Sequence, residues 1–147
     1  MSKVLLIVID AASPRILGPA IQTGHLPVMQ RLVQAGTWHD SSTTIFPSIT
    51  PAATASIIVG GYPVETGIVG ASWYEEADNQ IAYYGDDFWV MAREGFRSFL
   101  RDFLVRLNGD RLKSPTLFER VESSGRLAAS INYLVFKGLS THKVHIP

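Results

Sequence analysis

Two residues of the chain join a reactive side chain to a position where chemistry can be run. Thr50 lies in Pro47-Ser48-Ile49-Thr50-Pro51, which leads into Ala52-Ala53-Thr54-Ala55-Ser56-Ile57-Ile58-Val59 and the pair Gly60-Gly61. That order reads as a turn, a short helix and a glycine stop. A hydroxyl at a helix start lies beside backbone N–H groups that have no intrahelical acceptor, and these favour an anion such as phosphate. The same residues also fit an ordinary helix start, since Ser and Thr are common N-caps and Pro is common at the first helical position. The second residue is Asp10, which ends the apolar run of residues 4–9. In open α/β sheets ligands bind beyond the carboxyl ends of the strands, so Asp10 either points toward a site or caps the following turn.

The elements that must position these two residues follow from hydrophobic pattern. Residues 4–9, rich in Val and Ile, predict a strand buried on both faces of a parallel sheet. Leu26, Met29, Leu32 and Val33 stand at helical spacing before Gly36 and predict a crossover helix over residues 26–35. Residues 37–45, with Trp38, Thr43, Thr44 and Ile45, predict the next strand, so that a βαβ unit delivers the chain to Thr50. His25 and His39 flank this unit and receive no role. Residues 73–84 predict a hairpin turning at Asp78-Asn79, its aromatics packed against the domain rather than lining a pocket. Asp86-Asp87 precede a helix expected over residues 88–107 and complement its dipole. On that helix Phe96, Phe99, Leu100, Phe103, Leu104 and Leu107 form one apolar stripe. Arg93, Arg97 and Arg101 form a row four apart, read as solvated surface, the alternative being a membrane-surface or phosphate-gripping face. Ser114 and Pro115 predict the N-cap and first residue of a further helix closing at Gly125, and residues 127–133 a further buried strand.

Composition narrows the function classes. At 147 residues the chain fits one domain, and 46% hydrophobic residues suffice for a modest core. Thirteen basic and thirteen acidic residues cancel, so there is no nucleic-acid-binding signature and any anion site must be local. The absence of cysteine removes disulfides and thiolate metal sites and leaves Asp, Glu and His as metal donors. The N-terminal apolar run is too short and too soon charged for a secretory signal, and no run reaches the ~18 residues of a membrane span. A cytoplasmic protein without a transmembrane segment is the expectation.

Phe46-Pro47-Ser48-Ile49-Thr50-Pro51, then Gly61-Tyr62-Pro63, Gly67-Ile68-Val69-Gly70 and Trp73-Tyr74, resemble the nucleophile region of the type I phosphodiesterase/nucleotide pyrophosphatase family, part of the alkaline phosphatase superfamily. The resemblance extends back to residues 3–10 and forward to residues 114–119. It implies an α/β, alkaline-phosphatase-like fold, a largely parallel sheet flanked by helices, here incomplete. Residues 1–147 would form the N-terminal part of a single catalytic domain, with residues 75–113 as a hairpin-plus-helix insertion. Thr50 matches the nucleophile and also a metal-held position, and Asp10 matches the first metal-ligand aspartate. Two divalent metal ions, expected to be zinc, would make the threonine alkoxide accessible near neutral pH, and a phospho-enzyme would then be hydrolysed by water.

The family's later ligands, an Asp with a His four residues on, an adjacent Asp-His pair and a further His, have no counterpart in this sequence. His142 and His145 are three apart, a usable spacing, but match none of those positions. The expectation is therefore an N-terminal fragment, inactive alone, that needs a missing C-terminal segment or a homo-oligomer. Gly70-Ala71-Ser72 lacks the asparagine that many members aim at the transition-state oxygen, which leaves Ser72 as the available donor. Pro51 stands where nucleotide-cleaving members carry an aromatic. The implied substrate is a small-molecule phosphate ester, and nucleotide specificity is not implied. The competing readings are a phosphomonoesterase or mutase of the same superfamily, and a non-catalytic fragment that needs a partner segment.

Overall fold

A Ser-Pro pair starts the first helix. In the computed structural model, which describes residues 3–77, 79–84, 88–139 and 143–144, α1 spans Pro14–Gln22 and the Ser13 side chain accepts a hydrogen bond from the Arg15 N–H at 3.3 Å. This helix was not anticipated, although Ser followed by Pro is a recognisable start. α2 spans Pro27–Ala35 and ends at Gly36, within a residue of expectation. Gln30 Nε2 donates to the Ile21 carbonyl at 3.1 Å and ties the two helices together. They belong to the first of two compact units, Met1–Thr43, the second being Thr44–Pro147.

The expected βαβ unit is not formed. Residues 4–9 enter no ladder and are exposed, Val4 at 92%, and residues 37–45 pair with no strand among the described residues. A β-segment has no hydrogen bonds of its own to close, so apolar character without a neighbouring strand does not bury it. None of the residues of α2, the expected crossover helix, is buried.

The second unit carries the core. α3 spans Thr50–Val59 and α4 Pro63–Thr66; β1, Ser72–Glu75, pairs antiparallel with β2, Gln80–Tyr83, Trp73 facing Ala82 and Tyr74 facing Ile81. This is the expected hairpin. Asn79 sits at its turn with φ 50°, and Asp78 lies outside the described residues. Ala55, Ile58 and Val59 of α3 pack with Ile68, Ala82, Tyr84, Leu107, Leu112 and Val135. Trp73 and Tyr84 stack at 5.5 Å between ring centroids, so these two aromatics serve packing, as expected.

The single helix expected over residues 88–107 is instead three pieces. α5 spans Phe88–Glu94 and α6 Phe96–Arg101, and a π-helical turn follows over Asp102–Arg106. Gly95, at φ 87°, breaks the axis between α5 and α6, a conformation that costs glycine little. The predicted role of Asp86-Asp87 falls outside the described residues. Only half of the predicted stripe turns inward: Leu107 is fully buried, Phe99 and Phe103 are half-buried, and Phe96, Leu100 and Leu104 are exposed.

α7 spans Leu117–Ser123, and its N-cap is Thr116 rather than Ser114. Thr116 Oγ1 accepts from the Glu119 N–H while Glu119 Oε2 accepts from the Thr116 N–H at 2.7 Å, a reciprocal capping box that outcompetes the Ser-Pro start. Ser114 Oγ donates to the Glu65 carbonyl instead. Of the strand expected at residues 127–133 only β3, Ser130–Ile131, is formed, pairing in parallel over two residues with β4, Lys143–Val144. The fold is thus helical with a small antiparallel sheet, an incomplete α/β arrangement; a largely parallel sheet is not shown.

Candidate active site

Thr50 is the first residue of α3. Ile49 before it is extended, at φ −120° and ψ 151°, and provides no side-chain cap; Pro51 follows in the first turn. The peptide bond between Phe46 and Pro47 is cis. Pro51, Ala52, Ala55, Ser56, Ile58 and Val59 are buried, whereas Thr50 is exposed, so the helix is anchored along its length and presents its beginning to solvent. Thr54 Oγ1 donates to the Thr50 carbonyl at 2.7 Å, and Gly60, left-handed at φ 75°, closes the other end by donating its N–H to the Ser56 carbonyl.

The later motif residues form the packing beneath this helix. Tyr62 N–H donates to Glu65 Oε2 at 2.7 Å, setting the first turn of α4. Gly67 has φ 82°, and a Cβ there would meet the Arg111 carbonyl at 2.6 Å, so only glycine fits the close approach. Lys113 N–H donates to the Thr66 carbonyl beside it, and Ile68 is fully buried. Tyr133 hydroxyl donates to the Thr54 carbonyl at 3.0 Å, and burial pushes its pKa up to about 12.

Asp10 lies in the first unit. Its carboxylate Oδ1 accepts from the Ala11 N–H at 2.9 Å, and Ala11 takes φ 55°, uncommon for a residue with a Cβ. That bond is a turn-capping contact, which accords with one of the two readings open from sequence and does not exclude the other. His25 Nδ1 lies 2.7 Å from Thr23 Oγ1, while His142 and His145 fall outside the described residues. An open depression of about 510 Å³ in the first unit, lined by Ser13, Arg15, Asp40 and neighbouring hydroxyls, includes neither Asp10 nor Thr50.

Among the described residues no three His, Asp or Glu side chains converge where a metal ion could be held. An aspartate and a threonine are suitable oxygen donors, but two donors do not make a zinc or two-metal centre. These residues alone do not fit the two-ion group that the resemblance implies.

The strongest electrostatic feature was not legible beforehand. Arg111 and Asp102 are buried, 4% and 3% exposed, with Arg111 Nη1 3.1 Å from Asp102 Oδ2. Glu75 Oε2 lies 3.3 Å from Arg111 Nε. The guanidinium sits 5.8 Å from the Trp73 ring centroid and 5.7 Å from that of Tyr84, and donates to the Tyr84 hydroxyl at 3.1 Å. Burial pushes the Tyr84 pKa up to about 12 against the lowering effect of Arg111. Asp102 Oδ2 also accepts from the Tyr83 N–H, which fastens the hairpin to the π-helical turn. The one sequence signal was position: Asp102 stands beside Phe103 among the inward residues of the stripe.

The segment around Thr50 carries the residues on which the resemblance rests, and comparison with known proteins gives the family. The family model for type I phosphodiesterase / nucleotide pyrophosphatase matches residues 4–142, and the chain belongs to that family. The matched stretch corresponds to the family's N-terminal portion. Its family is thus one of phosphodiester- and pyrophosphate-cleaving hydrolases within the alkaline phosphatase superfamily. No curated protein and no solved structure matches the chain.

Proposed function

We propose that this chain supplies the nucleophile, Thr50, and one carboxylate, Asp10, to a hydrolase of small-molecule phosphodiesters or pyrophosphates. The observation that carries the reading is the exposed Thr50 at the start of a helix anchored by its buried face, within a family match spanning most of the chain. In this reading the Thr50 oxygen attacks phosphorus, the leaving alkoxide or phosphate departs and takes up the hydroxyl proton, and water hydrolyses the Thr50–phosphorus bond of the intermediate, which keeps the second ester group of a diester. The start of α3 favours the phosphoryl oxygens through the positive end of its dipole. Two divalent cations, zinc by expectation, enter this reading only with further ligands from outside the described residues; bound, they would lower the pKa of the attacking hydroxyl.

The test is hydrolysis of bis-p-nitrophenyl phosphate by the full-length gene product. Thr50→Ala is expected to lower kcat by ~10³-fold or more, with inhibitory phosphate still bound. Turnover within a fewfold of the unaltered protein would remove Thr50 from the mechanism. Faster cleavage of p-nitrophenyl phosphate than of the diester would favour the monoesterase reading.

A further inference from the structure

Along α5, α6 and the π-helical turn the exposed positions follow an unusual order. Exposed positions recur as neighbouring pairs every four residues: 88 and 89, 92 and 93, 96 and 97, 100 and 101, 104 and 105. The second member of the three central pairs is Arg93, Arg97 and Arg101, and beside that basic row runs an apolar one through Phe96, Leu100 and Leu104. Phe96 is 59% exposed and Leu104 46%, and Trp89 at the near end is 79% exposed. The inward face is already satisfied by Asp102, paired to Arg111, and by Leu107 in the core. In the outer apolar row Phe96 touches Phe99 at 6.2 Å between ring centroids, yet Phe96, Leu100 and Leu104 all stay exposed.

We propose that this face docks on an anionic lipid surface, with the apolar row and Trp89 in the headgroup and acyl boundary and the arginine row on the lipid phosphates. Charge complementarity selects this occupant. Among the described residues three arginines stand on the face against one acid, Glu94, which lies 3.9 Å from Arg93 and offsets part of its charge. A basic row beside exposed Trp, Phe and Leu is the composition of helices that lie in the membrane interface, whereas a purely apolar row would suit a protein partner. No helix among the described residues is long and apolar enough to cross a membrane, so the contact is one of lying on the surface.

The test is co-sedimentation of the 147-residue chain with phosphatidylcholine vesicles, with and without an equal part of phosphatidylserine. Binding is expected only where phosphatidylserine is present, and is expected to weaken with salt. Arg97→Gln and Arg101→Gln should each lower the partition coefficient about fivefold, since a basic residue near the surface contributes about that factor. The tryptophan emission should shift to the blue on binding, and the shift should vanish in Trp89→Phe. Absence of binding to the mixed vesicles, or binding that ignores both arginine substitutions, overturns the proposal. A concentration-dependent dimer that Phe96→Ser dissolves, without vesicle binding, would assign the face to a second copy instead.

Discussion

Residues 4–9, Val-Leu-Leu-Ile-Val-Ile, are wholly apolar and between 38% and 92% exposed, while Ala55, Ile58 and Val59 of α3 are between 0% and 8% exposed. The second set is no more apolar than the first. What separates them is where the backbone hydrogen bonds close. α3 completes its own ladder within ten residues and needs only a surface to lie on, which the hairpin, Leu107 and Val135 provide. A strand must borrow its ladder from neighbours, and none of the described strands pairs with residues 4–9. Thr50 therefore holds its place at a helix start without any completed sheet.

The contrast can be broken first at the polar centre of the second unit. Arg111→Ala would leave the buried Asp102 carboxylate unpaired, and should cost about 3–5 kcal/mol of stability in urea denaturation. Ile58→Ala, which opens a cavity beneath the Thr50 helix, should cost about 2–5 kcal/mol by the same measurement.

A smaller effect comes from pH. Tyr84 holds its proton to about 12 when folded, while an unfolded tyrosine loses it near ~10. The folded state thus binds more protons between those values, so stability is intact below pH ~10 and falls as pH rises toward ~12. Tyr133, pushed to about 12 by burial, acts in the same direction. Urea denaturation across that range should show the decline in the parent, less of it in Tyr84→Phe, and least when Tyr133→Phe is added. The smallest expected effect sharpens the comparison from the other side: Leu5→Ala, 81% exposed as leucine, should move stability by less than ~0.5 kcal/mol. A cost near that of Ile58→Ala would mean that residues 4–9 are packed after all.

Features closed by local chemistry were legible in the sequence. The helix from Thr50 to Gly60, the end of α2 at Gly36 and the hairpin around Asn79 each depend on residues within a few positions of one another. Features settled at long range were not. The strands at residues 4–9 and 37–45 were read from pattern, but pattern does not supply a partner. Thr116 replaced Ser114 as a cap because Glu119 could reciprocate, a local signal that the Ser-Pro pair concealed. The buried pair of Asp102 and Arg111 was not legible because its burial depends on Glu75, Trp73 and Tyr84, all more than twenty-five residues away from Arg111. At the candidate site, the position of Thr50 was legible from its turn and glycine stop. Its chemistry came from family resemblance, since a helix start by itself also serves as a plain cap.

The central claim, that Thr50 is the attacking group, is tested most directly by trapping its covalent product. The full-length protein would be quenched in acid during turnover of a pyrophosphate or diester substrate, digested, and its peptides weighed by mass spectrometry. A mass increase on the peptide containing Thr50 equal to the phosphoryl group plus the ester substituent that the substrate keeps on phosphorus, absent in Thr50→Ala, is the result this account predicts. Turnover with that peptide unmodified and the phosphoryl group on another residue would contradict it.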